Sequence, residues 1–192
     1  MKKQVIILLL CSILSAKAFG QESDAYKKFP VFNIQKVTEK LFGATAIKIN
    51  EYTWKPTYAE LFDFADNVSY DGYCHTKLDT AIDIKMNGST YMLITFSTSN
   101  YANKNEIMDC HACAPTISVA LFRKEADKSF TLEGFKKGFT SFGSYGQRGQ
   151  YAVEKIGADK SALVLISGYT NQGYTVEGKT YYSLTSVPFL TQ

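Results

Sequence analysis

The chain is expected to fold as a mainly β domain, with an α+β arrangement as the alternative: one compact antiparallel sandwich or strongly bent sheet, with one or two short helices near its N-terminus. Three observations carry this expectation. Aromatic residues make up 14% of the sequence, with thirteen Tyr and thirteen Phe, and such side chains favour pleated, half-buried surfaces. Residues 80–86 alternate with Ile82, Ile84 and Met86 on one face, Asn87-Gly88 supplies a tight turn of the I′ type, and residues 90–96 return, which is a hairpin signature. Nine of the 13 glycines lie at or beyond position 134, between short apolar runs, as expected for several strands joined by turns.

The elements follow in order. Residues 1–20 read as a cleaved secretory signal. Lys2 and Lys3 form a positive start, residues 5–16 are an apolar run too short to span a bilayer comfortably, and Ala16-Lys17-Ala18 is a cleavage pattern. Residues 21–30 are polar and read as a flexible arm, and residues 31–192 as a single β-rich domain. Asn33 caps a short helix with Ile34, Val37 and Leu41 on one face and Gly43 after its end. Residues 44–52 read as one strand, 56–65 as a second short helix with Pro56 near its start, and 67–75 as turns. After the hairpin, residues 97–109 read as a long polar loop. Residues 117–122 form a buried strand and 130–135 another, joined by Ala126-Asp127-Lys128-Ser129. The same Ala-Asp-Lys-Ser recurs at 158–161, between strands at 151–156 and 162–166, and reads as one turn solution used twice. Residues 143–149 and 171–178 read as exposed loops, and 180–186 as a late strand with Tyr182 and Leu184 inward and Tyr181 outward.

The signal sets the address as exported, either periplasmic or secreted, and it also accounts for the charge. The formal net charge is +3, and the signal contributes Lys2, Lys3 and Lys17 with no acid, so the mature domain is neutral. A neutral domain has no electrostatic footprint for nucleic acid or an anionic membrane surface. No apolar run after the signal is long enough for a membrane span.

Chemistry concentrates in two places. The only two histidines each follow a cysteine, as Cys74-His75 and Cys110-His111, and Cys113 completes a Cys-x-x-Cys. In an oxidising compartment three mature cysteines allow one bridge and one leftover thiol. A bridge from Cys74 to Cys110 or Cys113 would close a long loop and stabilise the fold by roughly 3 to 4 kcal/mol, whereas Cys110–Cys113 would stabilise little. A tetrahedral Zn or a Cu(I) site drawn from Cys110, Cys113, His111 and His75 is the metal alternative, with Cys74 a further candidate. A redox pair at Cys110 and Cys113 is the third reading. No cofactor is otherwise indicated.

The catalytic inventory is poor. Cys74 or Cys110 with a histidine base, or carboxylates such as Glu60, Asp63 and Asp109, could serve catalysis, but nothing selects a set, and no Gly-x-Ser-x-Gly elbow or phosphate-cradling glycine loop occurs. Tyr145, Tyr169, Asn171, Gln172 and Tyr174 combine flat apolar faces with hydrogen-bonding groups and suit a protein partner or a glycan. The expected function is therefore a non-enzymatic binding module of a bacterial envelope, inhibitor-like or immunity-like, acting on a protein partner. The alternative is a metal-binding or thiol-redox protein centred on Cys110-His111-Ala112-Cys113.

Overall fold

The computed structural model describes residues 28–171 and 174–184, with side chains outside 169–176. The expected signal at 1–20, most of the expected arm at 21–30 and Gln172 lie outside the described residues. The fold is mainly β. A curled seven-stranded antiparallel sheet has the order β1-β9-β8-β5-β4-β3-β2, and a second sheet has the order β12-β13-β14.

The chain enters through β1 (Lys28–Phe29), which pairs with β9, so the end of the expected arm is tied to the sheet. Helix α1 (Ile34–Phe42) follows. Asn33 accepts a hydrogen bond from the Lys36 amide at 3.0 Å, and Gly43 closes the helix in the left-handed region, as the sequence predicts. The single strand expected over 44–52 is instead a hairpin of β2 (Thr45–Lys48) and β3 (Glu51–Trp54). Asn50 adopts φ 62°, a conformation that Asn tolerates better than most residues, and it turns the chain there. The second helix is one turn, α2 (Leu61–Phe64), continued by a 3₁₀ turn at Ala65–Asn67.

The central hairpin is longer than its alternating segment. It joins β4 (Cys74–Met86) to β5 (Ser89–Ser99) across Asn87 and Gly88, which both have positive φ. The polar stretch after it contains a small hairpin, β6 (Tyr101–Asn103) with β7 (Glu106–Ile107). β8 (Thr116–Lys124) and β9 (Phe130–Ser141) complete the large sheet. A short hairpin of β10 (Gly143–Ser144) and β11 (Gln147–Arg148) leads into β12 (Gln150–Gly157), β13 (Lys160–Asn171) and β14 (Tyr174–Ser183). Most of the loop expected over 171–178 is thus strand, paired along β13.

The repeated Ala-Asp-Lys-Ser does not make the same turn twice. In the first copy Lys128 has φ 64° and Asp127 accepts hydrogen bonds from Ser129, within the connection between β8 and β9. In the second, Lys160 already pairs with Gly157, and none of the four residues has positive φ. Register across the flanking strands, not the tetrapeptide, sets the turn.

The large sheet is buried on both faces, which makes β5 and β8 near-continuous apolar runs. Leu93, Ile117, Val119 and Leu121 pack on one face against Leu163 and Leu165 of the small sheet, where Tyr182 and Leu184 also point inward. Ile94, Phe96, Ala120 and Phe122 pack on the other face against Val37 and Phe42 of α1, Trp54 and Phe64. Gly138 lets α2 approach: its φ is 66°, and a side chain there would place a Cβ 2.7 Å from that of Asp63.

Candidate functional site

The site begins with a bulge. In the β4–β5 ladder Leu78 pairs with Phe96 and Thr80 with Thr95, so Asp79 is an extra residue with no partner across the ladder. One inserted residue exchanges the two faces of a strand. Beyond the bulge Ile82, Ile84 and Met86 belong to the core against the small sheet. Before it Cys74 and Leu78, of the same parity, belong to the core against the helices. The odd-numbered His75, Lys77 and Asp79 are thereby turned to one face, where with Ser97 and Ser99 they line a cavity of about 290 Å³.

The far wall is the β10–β11 hairpin, which supplies Gly146, Gln147 and Arg148. Arg148 Nε lies 3.3 Å from Asp79 Oδ1, and its guanidinium sits over the Tyr151 ring at 4.7 Å from the centre. Ser97 donates its hydroxyl to the same Asp79 oxygen at 2.8 Å, and Tyr151 shares a hydrogen bond with Thr95. The Asp79 side chain is only 5% exposed. Its second oxygen, Oδ2, is buried and has no partner among the described residues. Burial pushes the Asp79 carboxyl above its ordinary range, against the opposing pull of Ser97 and Arg148.

The outer wall is His75 against Tyr101, with ring centres 4.9 Å apart. His75 Nε2 lies 3.0 Å from Asp71 Oδ2, which fixes the ring. Burial raises the Tyr101 hydroxyl above its ordinary value. Outside this pair lies a second, shallower groove of about 500 Å³, rimmed by Ile47, Tyr70 and Tyr73. The two spaces share Ile47, Glu51, His75 and Tyr101, so the His75–Tyr101 pair divides one cleft into an inner and an outer compartment.

Of the residues singled out in the sequence, His75 alone lines this cleft. Cys110 and Cys113 form a disulfide with each other, so the long staple expected from Cys74 is not made. Cys74 pairs opposite Trp54 on the helix side of the sheet, fully buried, and burial pushes its thiol up to about 12. The sulfurs expected to hold Zn or Cu are thus either joined to each other or sealed in the core, and His111 packs against Tyr145 while His75 packs against Tyr101. Among the described residues no group of three or more His, Cys, Asp or Glu is arranged to hold a metal ion.

The disulfide loop has a positional role. The carbonyls of Cys110 and Cys113 accept hydrogen bonds from the amides of Tyr145 and Gly146, at 3.0 and 2.7 Å, and so clamp the β10–β11 turn that carries Arg148. Tyr145 is half exposed at the tip of that turn. Tyr169, Asn171 and Tyr174 lie at the far end of the β13–β14 ladder, where Asn171 pairs with Tyr174. A groove of about 540 Å³ runs between Gly143–Ser144 and the middle of that ladder at Gly168 and Glu177. Sequence reasoning missed Asp79, Ser97, Tyr101 and Arg148. Asp79 left no trace in the alternation, because Leu78, Ile82, Ile84 and Met86 share one parity along the sequence and only the bulge puts Leu78 on the opposite face.

No protein-family model, curated protein or solved structure matches this chain.

Proposed function

We propose that this chain is an exported, non-enzymatic binding protein, inhibitor-like in action, that docks a protein partner through the face around the outer compartment of the cleft. One observation carries the reading. Ile47, Ile49, Tyr70 and Tyr73 are large apolar side chains left exposed along the β2–β3 turn and the segment before β4, and Ile49 is 91% exposed. Exposed apolar groups of this kind around a groove mark interaction surfaces, and aromatic anchors dominate their energetics. The face also ends on β2, the edge strand of the large sheet, whose free backbone groups can receive an added strand.

The test is co-purification from the envelope fraction of the source cells, comparing the native chain with Ile49→Asp combined with Tyr73→Ala. A partner retained by the native chain is expected to be lost from the variant. Retention by that variant, with loss instead on combining Tyr169→Ala and Tyr174→Ala, would move the surface to the β13–β14 end. A second reading, thiol-redox chemistry at Cys110 and Cys113, is favoured by one observation, the exposure of Cys110. A Cys110→Ser, Cys113→Ser chain that folds but loses its biological effect would support that reading over docking.

A further inference from the structure

We propose that the groove beside the start of β12 receives an extended segment of a partner protein as an added strand on β13, with a basic side chain of that segment paired to Glu177. This goes beyond docking at the outer compartment of the cleft and uses a different surface. The β10–β11 hairpin separates the two, with Gln147 and Arg148 lining the cleft and Gly143 and Ser144 the groove.

The first ground is a vacant strand position. β13 is the middle strand of the small sheet, but its neighbours differ in length. β14 pairs with it as far as Asn171, whereas β12 begins at Gln150, opposite Ile166. Among the described residues no strand pairs with 167–171 on the β12 side, a length of about 17 Å at about 3.4 Å per residue. The Leu184 amide donates to the Ser161 carbonyl, so the odd-numbered residues of β13 exchange hydrogen bonds with β14. The even-numbered residues face the other way. Gly168 and Thr170 thus present their N–H and C=O groups to the vacant side, and such a row is a template for a further strand. β12 does not continue into the position. Just before it the Gly149 amide donates to the Phe142 carbonyl at 3.1 Å, and a Cβ at Gly149 would collide with the Phe142 ring, so the backbone is drawn away from β13. The space left is the groove of about 540 Å³, with the exposed Ser167 and Gly168 on its β13 wall.

The second ground is charge. Glu177 is the one charged side chain of the groove among the described residues, and it is exposed. Its neighbour Lys179 is engaged by Glu154 at 2.9 Å. Glu177 stands opposite Gly168, which has no side chain. A strand added beyond Gly168 places one side chain on the same face as Glu177, across bare backbone. The small sheet already makes such a pairing, since Lys179 of β14 reaches Glu154 of β12 over β13. A Lys or Arg on the added strand repeats it with the signs exchanged, whereas an acidic segment meets Glu177 unopposed.

The experiment is a titration of the folded, isotope-labelled chain with acetylated and amidated Thr-Val-Lys-Val-Thr, followed by NMR shifts and hydrogen exchange. Comparison peptides carry Gln or Glu in place of the Lys, or an N-methyl group on the Lys amide. The Lys peptide is expected to shift the Ser167 and Gly168 amides and to slow exchange at Gly168. The N-methylated peptide, which cannot donate to the Gly168 carbonyl, is expected to lose binding, and the Glu peptide to bind more weakly than the Gln peptide. Glu177→Gln is expected to weaken the Lys peptide about threefold and to leave the Gln peptide unchanged. Ile49→Asp, which tests the outer compartment, is expected to change none of these values, so the two surfaces fail separately. Absence of shifts at Gly168 with the Lys peptide, equal binding of the N-methylated peptide, or a Lys peptide indifferent to Glu177→Gln would overturn the proposal. Slow exchange at Gly168 in the free chain would also overturn it, because a segment of this chain or a second copy would then already fill the position.

Discussion

Asp79 accepts the hydroxyl of Ser97 at 2.8 Å from a position that has no cross-strand partner, because β4 carries one residue more than β5 at that point. The bulge places a carboxylate where burial disfavours its charge, and Ser97 and Arg148 do not fully offset the loss of water. A carboxyl whose folded pKa is raised contributes stability that is complete below the unfolded pKa and is lost as pH rises through the folded pKa. Asp79→Asn cannot titrate. The stability of that variant relative to the native chain should therefore increase from acid to neutral pH, read by urea unfolding at a series of pH values. A difference that shrinks with rising pH would mean that Arg148 outweighs burial.

Glu60 should behave with the opposite sign. Burial raises its pKa, but hydrogen bonds from Lys137 and Thr57 together lower it further, so the folded value lies below the ordinary one. Lys137 Nζ sits 2.6 Å from Glu60 Oε1 and 3.7 Å from the centre of the Trp54 ring, which holds the pair against the helix-side core. Its contribution is present above the unfolded pKa and is lost as pH falls through the folded pKa. Glu60→Gln should cost on the order of 1 kcal/mol at neutral pH, with the difference vanishing in acid. The same urea series reads it.

The Asn87-Gly88 turn sets the register of the longest ladder. Gly88 has φ 71° with open space around its missing Cβ, so any cost of a side chain there is conformational and not steric. Gly88→Ala should destabilise by about 1–2 kcal/mol, measured by thermal or urea unfolding. A neutral result would show that the ladder, and not the turn, holds the register.

The cysteines give a labelling pattern. Cys74 is fully buried with its thiol pushed up to about 12, and Cys110 and Cys113 are joined. Without reductant, the chain lacking residues 1–20 should take up no alkyl group when native and one when unfolded, read by intact mass. Replacing Cys110 and Cys113 by Ser should cost no more than about 2 kcal/mol, since so short a ring constrains the unfolded chain little. Its larger effect should be faster hydrogen exchange at the Tyr145 and Gly146 amides, which the loop carbonyls hold.

The fold was legible where local rules act alone. Asn33 and Gly43 bound α1 as capping chemistry requires, and Asn87-Gly88 makes the expected hairpin. Reading failed where partners set the outcome. Residues 44–52 contain enough strand-forming side chains for one strand, and only pairing with β4 shows that β3 is a second one. The repeated Ala-Asp-Lys-Ser was misleading for the same reason, since the strands on either side, and not the four residues, choose the turn.

The candidate site divides along the same line. His75 was visible because histidine is rare in this chain, and the exposed Cys110–Cys113 motif was visible because cysteine is. Asp79, Tyr101 and Arg148 come from residue types that are common on surfaces, so nothing in their neighbourhood distinguishes them. Sequence by itself determined the β character, the central hairpin and the capped first helix, because propensity, alternation and turn chemistry act between residues close along the chain. Only the tertiary structure decided that Cys74 is sealed away from the other cysteines and that His75 and Asp79 share a face with Arg148. Those outcomes depend on one extra residue in β4 and on a hairpin arriving from some 70 residues further along the chain, and no short-range pattern encodes either.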